Sequence, residues 1–290
     1  MTISLFIEQT LNGLQFGVML FLIAAGFTLV FGIMNLVNLA HGSFYMIGAY
    51  LFATILQRVG AFWVSVLLAV ILTGFIGALL ERVALKPFYR RPYLDQVLAT
   101  LGLILFFNEL TRIIWGPQPL NVTLPGALNS SIPVIAGISY PVIRLVILAV
   151  GVLVALLLYL IIAKTRTGML VRAGASNRTF IGALGINVNF VFSCAFSVGA
   201  ALAGLAGALA APILAVEAGM GESVLIFALI VVVIGGIGSF RGAFAAAILV
   251  GLIDTFGRLL LPPLFGDISV YLLMAAILSW RPQGLFPANG

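Results

Sequence analysis

From Leu11 to Met34 the chain carries no charged side chain, and runs of similar kind recur to its end, at about 61–80, 94–114, 142–163, 190–211, 243–261 and 268–280. A helix needs about 20 apolar residues to cross the hydrocarbon core of a bilayer. Backbone polar groups left unpaired in lipid are too costly to tolerate, so only helices and closed barrels span it. Unbroken apolar runs, with no two-residue alternation, select the helix. Of the 290 residues, 63% are hydrophobic and 8% charged, which overrides the one or two soluble domains that length alone would allow. The expectation is an all-α polytopic integral membrane protein set in membrane lipid, one transmembrane domain over 1–290, with about eight or nine membrane-spanning segments that include broken or re-entrant helices.

Three interruptions organise those runs. The first, in FGIMNLVNLAHGSFYMIGAYL, places Asn35, Asn38, His41 and Gly42 between two apolar halves. The second, in VLIFALIVVVIGGIGSFRG, brings Gly235, Gly236, Gly238 and Gly242 together. Both predict a broken or re-entrant helix, which is tolerated at membrane depth only against protein or a wet cavity. Each ends in glycine followed by Ser-Phe (Gly42-Ser43-Phe44, Gly238-Ser239-Phe240). That fits the weak internal symmetry of transporter repeats, and equally a chance likeness of two glycine-rich stretches. The third and longest interruption is about 164–189, KTRTGMLVRAGASNRTFIGALGINVN, with Lys164, Arg166, Arg172 and Arg178 and no acid. Its charge assigns it to the cytoplasmic side. Ser176 as N-cap and Gly185 after the last turn would frame a short helix over Asn177–Leu184. Two readings fit: a basic loop that only sets topology, or a docking element for a cytoplasmic partner.

The second basic cluster, Arg82 to Arg91, belongs on the same side, and the uncharged, proline-rich loop from Trp115 to Pro141 on the other. Counting outward puts the N-terminus outside and the C-terminus inside. The first ten residues carry no basic side chain, so no cleavable signal peptide is expected. Glu109 with Arg112, and Asp254 with Arg258, are spaced to pair along a helix face. Gly199, Ala203, Gly207 and Ala211 repeat every four residues, the spacing that lets membrane helices approach closely.

Chemistry of other kinds is missing. No G-K-[ST] phosphate loop exists, and one histidine and one cysteine make no N/S metal cluster. Cys194, in an apolar run, is expected to be a buried thiol with no disulfide partner. His41 reads as a hydrogen-bonded pore or core histidine, or as a proton relay, although no acid stands near it in sequence. The net charge of +6 sits in loops, so it argues membrane orientation, not nucleic acid. An ion-coupled carrier would need an uncompensated acid in mid-span, and none is seen. The chain has no visible energy source of its own.

Several blocks, in order, resemble the H-type permease subunit of bacterial branched-chain amino-acid ABC importers. They are GFTLVFGIMNLVNLAHGSFYMIGAYL, Arg90-Arg91-Pro92 with LATLGL, and Arg172-Ala173 with Ala183-Leu184-Gly185-Ile186-Asn187. VIGGIGSFRGAFAAAILVGLID and Arg281-Pro282-Gln283-Gly284-Leu285-Phe286 complete the set. Phe180 and Ile181 depart from the family by standing where many members are more polar. The resemblance implies a type II-like importer permease fold in the bacterial inner membrane. It implies that Arg172, Ala173, Ser176, Asn177, Ala183, Leu184, Gly185 and Ile186 seat against an ATPase. The partners it implies are a second, homologous permease, two cytoplasmic ATPases that use ATP and magnesium, and a periplasmic solute-binding protein. Asn35, Asn38, His41, Gly42, Gly235, Gly236 and Gly238 become candidates for the translocation path or its helix breaks. The chain itself would carry no cofactor and no catalytic residue, and its cargo could also be urea, a short amide or another amino acid.

Overall fold

A computed structural model describes residues 3–34, 36–135, 138–166, 168–169 and 187–286. These residues form nine α-helices: α1 Ile3–Met34, α2 His41–Val59, α3 Phe62–Leu80, α4 Tyr93–Trp115, α5 Val142–Lys164, α6 Val188–Ala210, α7 Met220–Gly235, α8 Phe240–Leu260 and α9 Pro263–Trp280. Six of them, α1, α3, α4, α5, α6 and α8, are long and apolar enough to cross a membrane, and α7 and α9 are shorter apolar helices. The expected runs are therefore found as helices.

Burial, not only apolarity, distinguishes the elements. α1 is enclosed from Gly17 to Val30, with Leu20 to Ala25 at most 2% exposed, while its first turns are open. It packs along α8, α6 and α5. α2 includes Ser43, two tyrosines, Gln57 and Arg58, too polar for lipid on all sides, and is surrounded by α6, α3 and α7. By contrast α3, α4 and α5 turn large apolar side chains outward, among them Trp63, Phe75, Leu105, Phe106 and Leu153. Without a water-driven hydrophobic force between helices in lipid, packing depends on small residues that let backbones approach. The small-residue repeat of α6 does this. A methyl group added to Gly204 would sit 2.7 Å from Thr73 of α3, and one on Gly199 2.9 Å from the Gly26 carbonyl of α1. On the other face of α1, Gly13 and Gly17 meet Gly251, Leu252 and Ala247 of α8.

Three features differ from the sequence expectation. The basic stretch after α3 is not a plain loop: the chain continues as a π turn, Glu81–Leu85, and a 3-10 turn, Lys86–Arg90. Pro87 at the start of the latter has no N–H to continue α-helical bonding. The loop before α5 contains an antiparallel hairpin, β1 Ser131–Ile135 and β2 Ile138–Pro141. Cys194 is exposed, not buried. It lies on the outward stripe of α6 with Phe190 and Val198 at four-residue spacing, and an apolar run alone does not say which face meets protein.

Candidate functional site

The first break is real and sheltered. α1 stops at Met34, residues 36–40 are non-helical, and α2 begins at His41. The His41 ring lies back along α1, its Nε2 3.3 Å from the Ile23 carbonyl and next to Gly26. Phe27 and Phe44 stand edge-on to it, with ring centres 5.8 and 6.2 Å away. Met34 and Gly26 are about 12 Å apart along a helix at about 1.5 Å per residue, a gap that the non-helical segment spans readily. α2 therefore starts inside the bundle. Asn38 is fully buried, and its Oδ1 accepts the Ala40 N–H at 3.1 Å, folding the side chain onto the start of α2. His41 is 1% exposed. The break is thus held largely against protein, with Val37 and Leu39 half-buried. Asn35 lies outside the described residues.

α7 starts beside this break. Its first turn crosses that of α2 at a glycine pair: a Cβ on Gly42 would collide with the Gly221 carbonyl, and one on Gly221 with that of Gly42. Neither helix has a side-chain cap; Ala40 and Gly219 precede them, the latter at φ +96°. Two helix N-termini, each carrying partial positive charge, therefore meet at this glycine pair, where Met220 and Gly221 are buried while Glu222 and Ser223 are exposed. Four buried side-chain atoms make no hydrogen bond among the described residues: Thr28 Oγ1, Asn38 Nδ2, His41 Nδ1 and Tyr45 OH. Three belong to this break or the first two turns of α2. Orphaned polar atoms cost about 1–3 kcal/mol each, so a cluster of them in a native fold calls for a physical reason.

The second break is built differently. Gly236 and Gly238 adopt φ of +98° and +82°, open to glycine at little cost. Ser239 caps α8 by accepting the Gly242 N–H at 3.1 Å. Gly235 and Gly242 are in backbone contact, so neither tolerates a side chain. The C-terminal segment then closes over the break, with Leu285 and Phe286 N–H groups donating to the carbonyls of Ile234 and Gly235. Gly32, near the end of α1, adjoins Gly238, so the ends of α1 and α7 lie together.

Four residues that sequence reasoning passed over complete the region. Glu81, 1% exposed, accepts hydrogen bonds from the Tyr89 hydroxyl and from Ser193 Oγ, the latter at 2.5 Å. A carboxylate at the C-terminal end of a helix opposes the helix dipole, so donors must hold it. Gln96, 4% exposed, accepts the Val37 N–H at 3.1 Å and donates to the carbonyls of Phe88 and Arg91. In sequence Glu81 is only the first polar residue after an apolar run, and one of its two partners, Ser193, is 112 residues away.

The expected charged pairs form. Arg112 lies 3.6 Å from Glu109, and Arg258 lies 3.1 Å from Asp254 and 3.0 Å from Asp267. At the same end, Glu222 accepts from Asn108, and Asn12 accepts from both Tyr140 and Arg144. Burial raises the Tyr140 hydroxyl above its usual pKa, against the opposing pull of Arg144, keeping it a donor. No group of three His, Cys, Asp or Glu suited to a metal occurs among the described residues. Arg172, Ala173, Ser176, Asn177, Ala183, Leu184, Gly185 and Ile186 lie outside them. The described chain resumes at Asn187, whose Oδ1 accepts the Phe190 N–H and caps α6.

Comparison with known proteins places the geometry in context. Residues 9–278 match the model of the branched-chain amino acid transport system permease component family. The chain is 30% identical to the high-affinity branched-chain amino acid transport system permease protein BraD of Pseudomonas aeruginosa, over 97% of this chain and 95% of that one. It is 29% identical to LivH of Escherichia coli over the same shares. It is also 30% identical to LivM of Salmonella typhimurium, over 92% of this chain and 67% of that one. No solved structure matches the chain. With nine described helices, two interior breaks and a match over nearly its whole length, this multi-pass membrane chain belongs to the branched-chain amino acid transport system permease component family.

Proposed function

We propose that this chain is one permease subunit of an ABC importer, forming half of the translocation path for branched-chain or other hydrophobic amino acids. The near full-length likeness to BraD and LivH carries the reading. The additional likeness to LivM supports a homologous second permease beside it. Two ATPases on the cytoplasmic side would supply the energy through ATP and magnesium, docked on the basic segment 164–189, and a periplasmic solute-binding protein would deliver cargo. The N-terminus would lie outside and the C-terminus inside, as the basic residues require. Cargo would pass near the two breaks, with Asn38 and His41 offering neutral polar groups and the glycines their backbone. Permeation of urea, a short amide or another amino acid through the same machine is the alternative. Reconstitution into liposomes with the second permease, the ATPases and the binding protein tests this: leucine uptake should require ATP and binding protein together. Uptake driven by an ion gradient without ATP would replace the importer with a secondary carrier.

A further inference from the structure

The buried polar residues at the end of the bundle that carries Arg82, Lys86 and Arg91 form one connected route. Ser193 stands in the second turn of α6, six residues after the described chain resumes beyond the basic segment. Its hydroxyl donates to Glu81 Oε2, and Tyr89 donates to the other oxygen of the same carboxylate. Tyr89 lies in the 3-10 turn, whose neighbouring carbonyls, Phe88 and Arg91, accept from Gln96 Nε2 at 3.3 and 3.1 Å. Gln96 Oε1 then accepts the Val37 N–H, one residue before Asn38 and four before His41. The route crosses α6, the turns after α3, α4 and the first break, and sequence proximity supplies none of the links at 193–81 and 96–37.

Its supports are stiff. α3 and α6 pack through Gly77 against Ala200 and Gly74 against Ser197, so the Glu81 anchor is set in a close helix contact. Ser197 also donates to the Gly74 carbonyl at 2.9 Å. Rupture of either link at Glu81 would leave one oxygen of a buried carboxyl group without its donor, a costly unmade bond. Movement of the start of α6 is therefore passed on more readily than absorbed.

We propose that Glu81 and Gln96 are positioning residues for energy coupling: they form a hydrogen-bonded strut that carries displacement of the α6 start to the backbone at 37–41, where α2 begins. This rests on the importer reading above. The strut acts through geometry, with no proton or charge transferred.

The test uses the intact complex in liposomes, reading leucine transported per ATP hydrolysed and assembly by co-purification. Glu81→Leu and Gln96→Leu should each assemble yet lower that ratio by about tenfold, the usual scale of a coupling energy. The double variant should do no worse than either single one, because both break the same strut. Glu81→Gln should restore most of the ratio, since its carbonyl can accept from Tyr89 while its amide donates to Ser193. If Glu81→Leu assembles and keeps its ratio, the strut is packing only and the proposal fails. If Glu81→Leu does not assemble, Ser193→Ala decides: assembly with a lowered ratio supports the strut, and assembly with an unchanged ratio overturns it. A wild-type complex that hydrolyses ATP without any dependence on binding protein would overturn the importer reading itself, a distinct result.

Discussion

At the scale of single residues, what a methyl group added to a glycine would meet depends on where the glycine stands. Gly221 and Gly42 touch through their backbones, whereas Gly102 on α4 has nothing within 4 Å of where a methyl would go. The same substitution should therefore change sign between them. Gly102→Ala should leave stability unchanged or raise it by about 0.5–1 kcal/mol through helix propensity. Gly221→Ala should cost about 1–3 kcal/mol by overpacking. Thermal unfolding of the detergent-purified chain distinguishes the two, and equal shifts would mean that the α2–α7 crossing has room to spare. His41 is governed by similar closeness. Its Nε2 lies within hydrogen-bond distance of the Ile23 carbonyl, and its Nδ1 makes no hydrogen bond among the described residues, with Phe27 and Phe44 edge-on to the ring.

At the scale of elements, the apolar runs made the helices legible, because length and composition are enough to specify a span. The i,i+3 and i,i+4 pairs were equally legible, since they depend only on spacing. The interior start of α2 was half legible: Asn38, His41 and Gly42 announced a break, but not that α7 would begin against it. The Glu81 and Gln96 contacts were not legible, because partners 112 and 59 residues apart leave no local pattern. Nor was the hairpin 131–141, whose strands are interrupted by prolines that normally demote such a run. The basic segment 164–189 belongs to the same scale. Replacing Ala183 there by glutamate should reduce ATPase stimulation or complex assembly about tenfold or more while leaving substrate binding by the solute-binding protein untouched, if a packed docking helix is disturbed. Normal transport by that variant would leave the segment as a topological loop.

At the scale of the whole molecule, the ion pairs among the described residues join charges on the same or adjoining helices. Glu109 meets Arg112, Asp254 and Asp267 share Arg258, and the centre of the bundle offers amide, imidazole and glycine backbone. A zwitterion needs strong partners for both of its ends, and helix N-termini supply only partial charge. If the importer reading proposed above holds, the permease pair without a solute-binding protein should hold leucine no more tightly than about millimolar, a binding free energy of about −4 kcal/mol. Equilibrium binding of labelled leucine to the purified pair measures this, and a micromolar site would place selectivity in the membrane subunit.

The burial of α1 has a consequence for how the chain is made. Gly13 and Gly17 form a G-x-x-x-G face that fits Ala247 and Gly251 of α8, yet α8 is synthesised some 200 residues later. At about 5–20 residues per second, α1 waits on the order of 10 to 40 s in the bilayer with that face open. Through that interval its close-packing stripe is available to any other small-residue helix, including the α1 of a neighbouring nascent chain. The order of emergence from the ribosome, rather than the strength of the finished contact, is then what exposes this protein to mispairing, and a chain interrupted before Phe240 would never close that face.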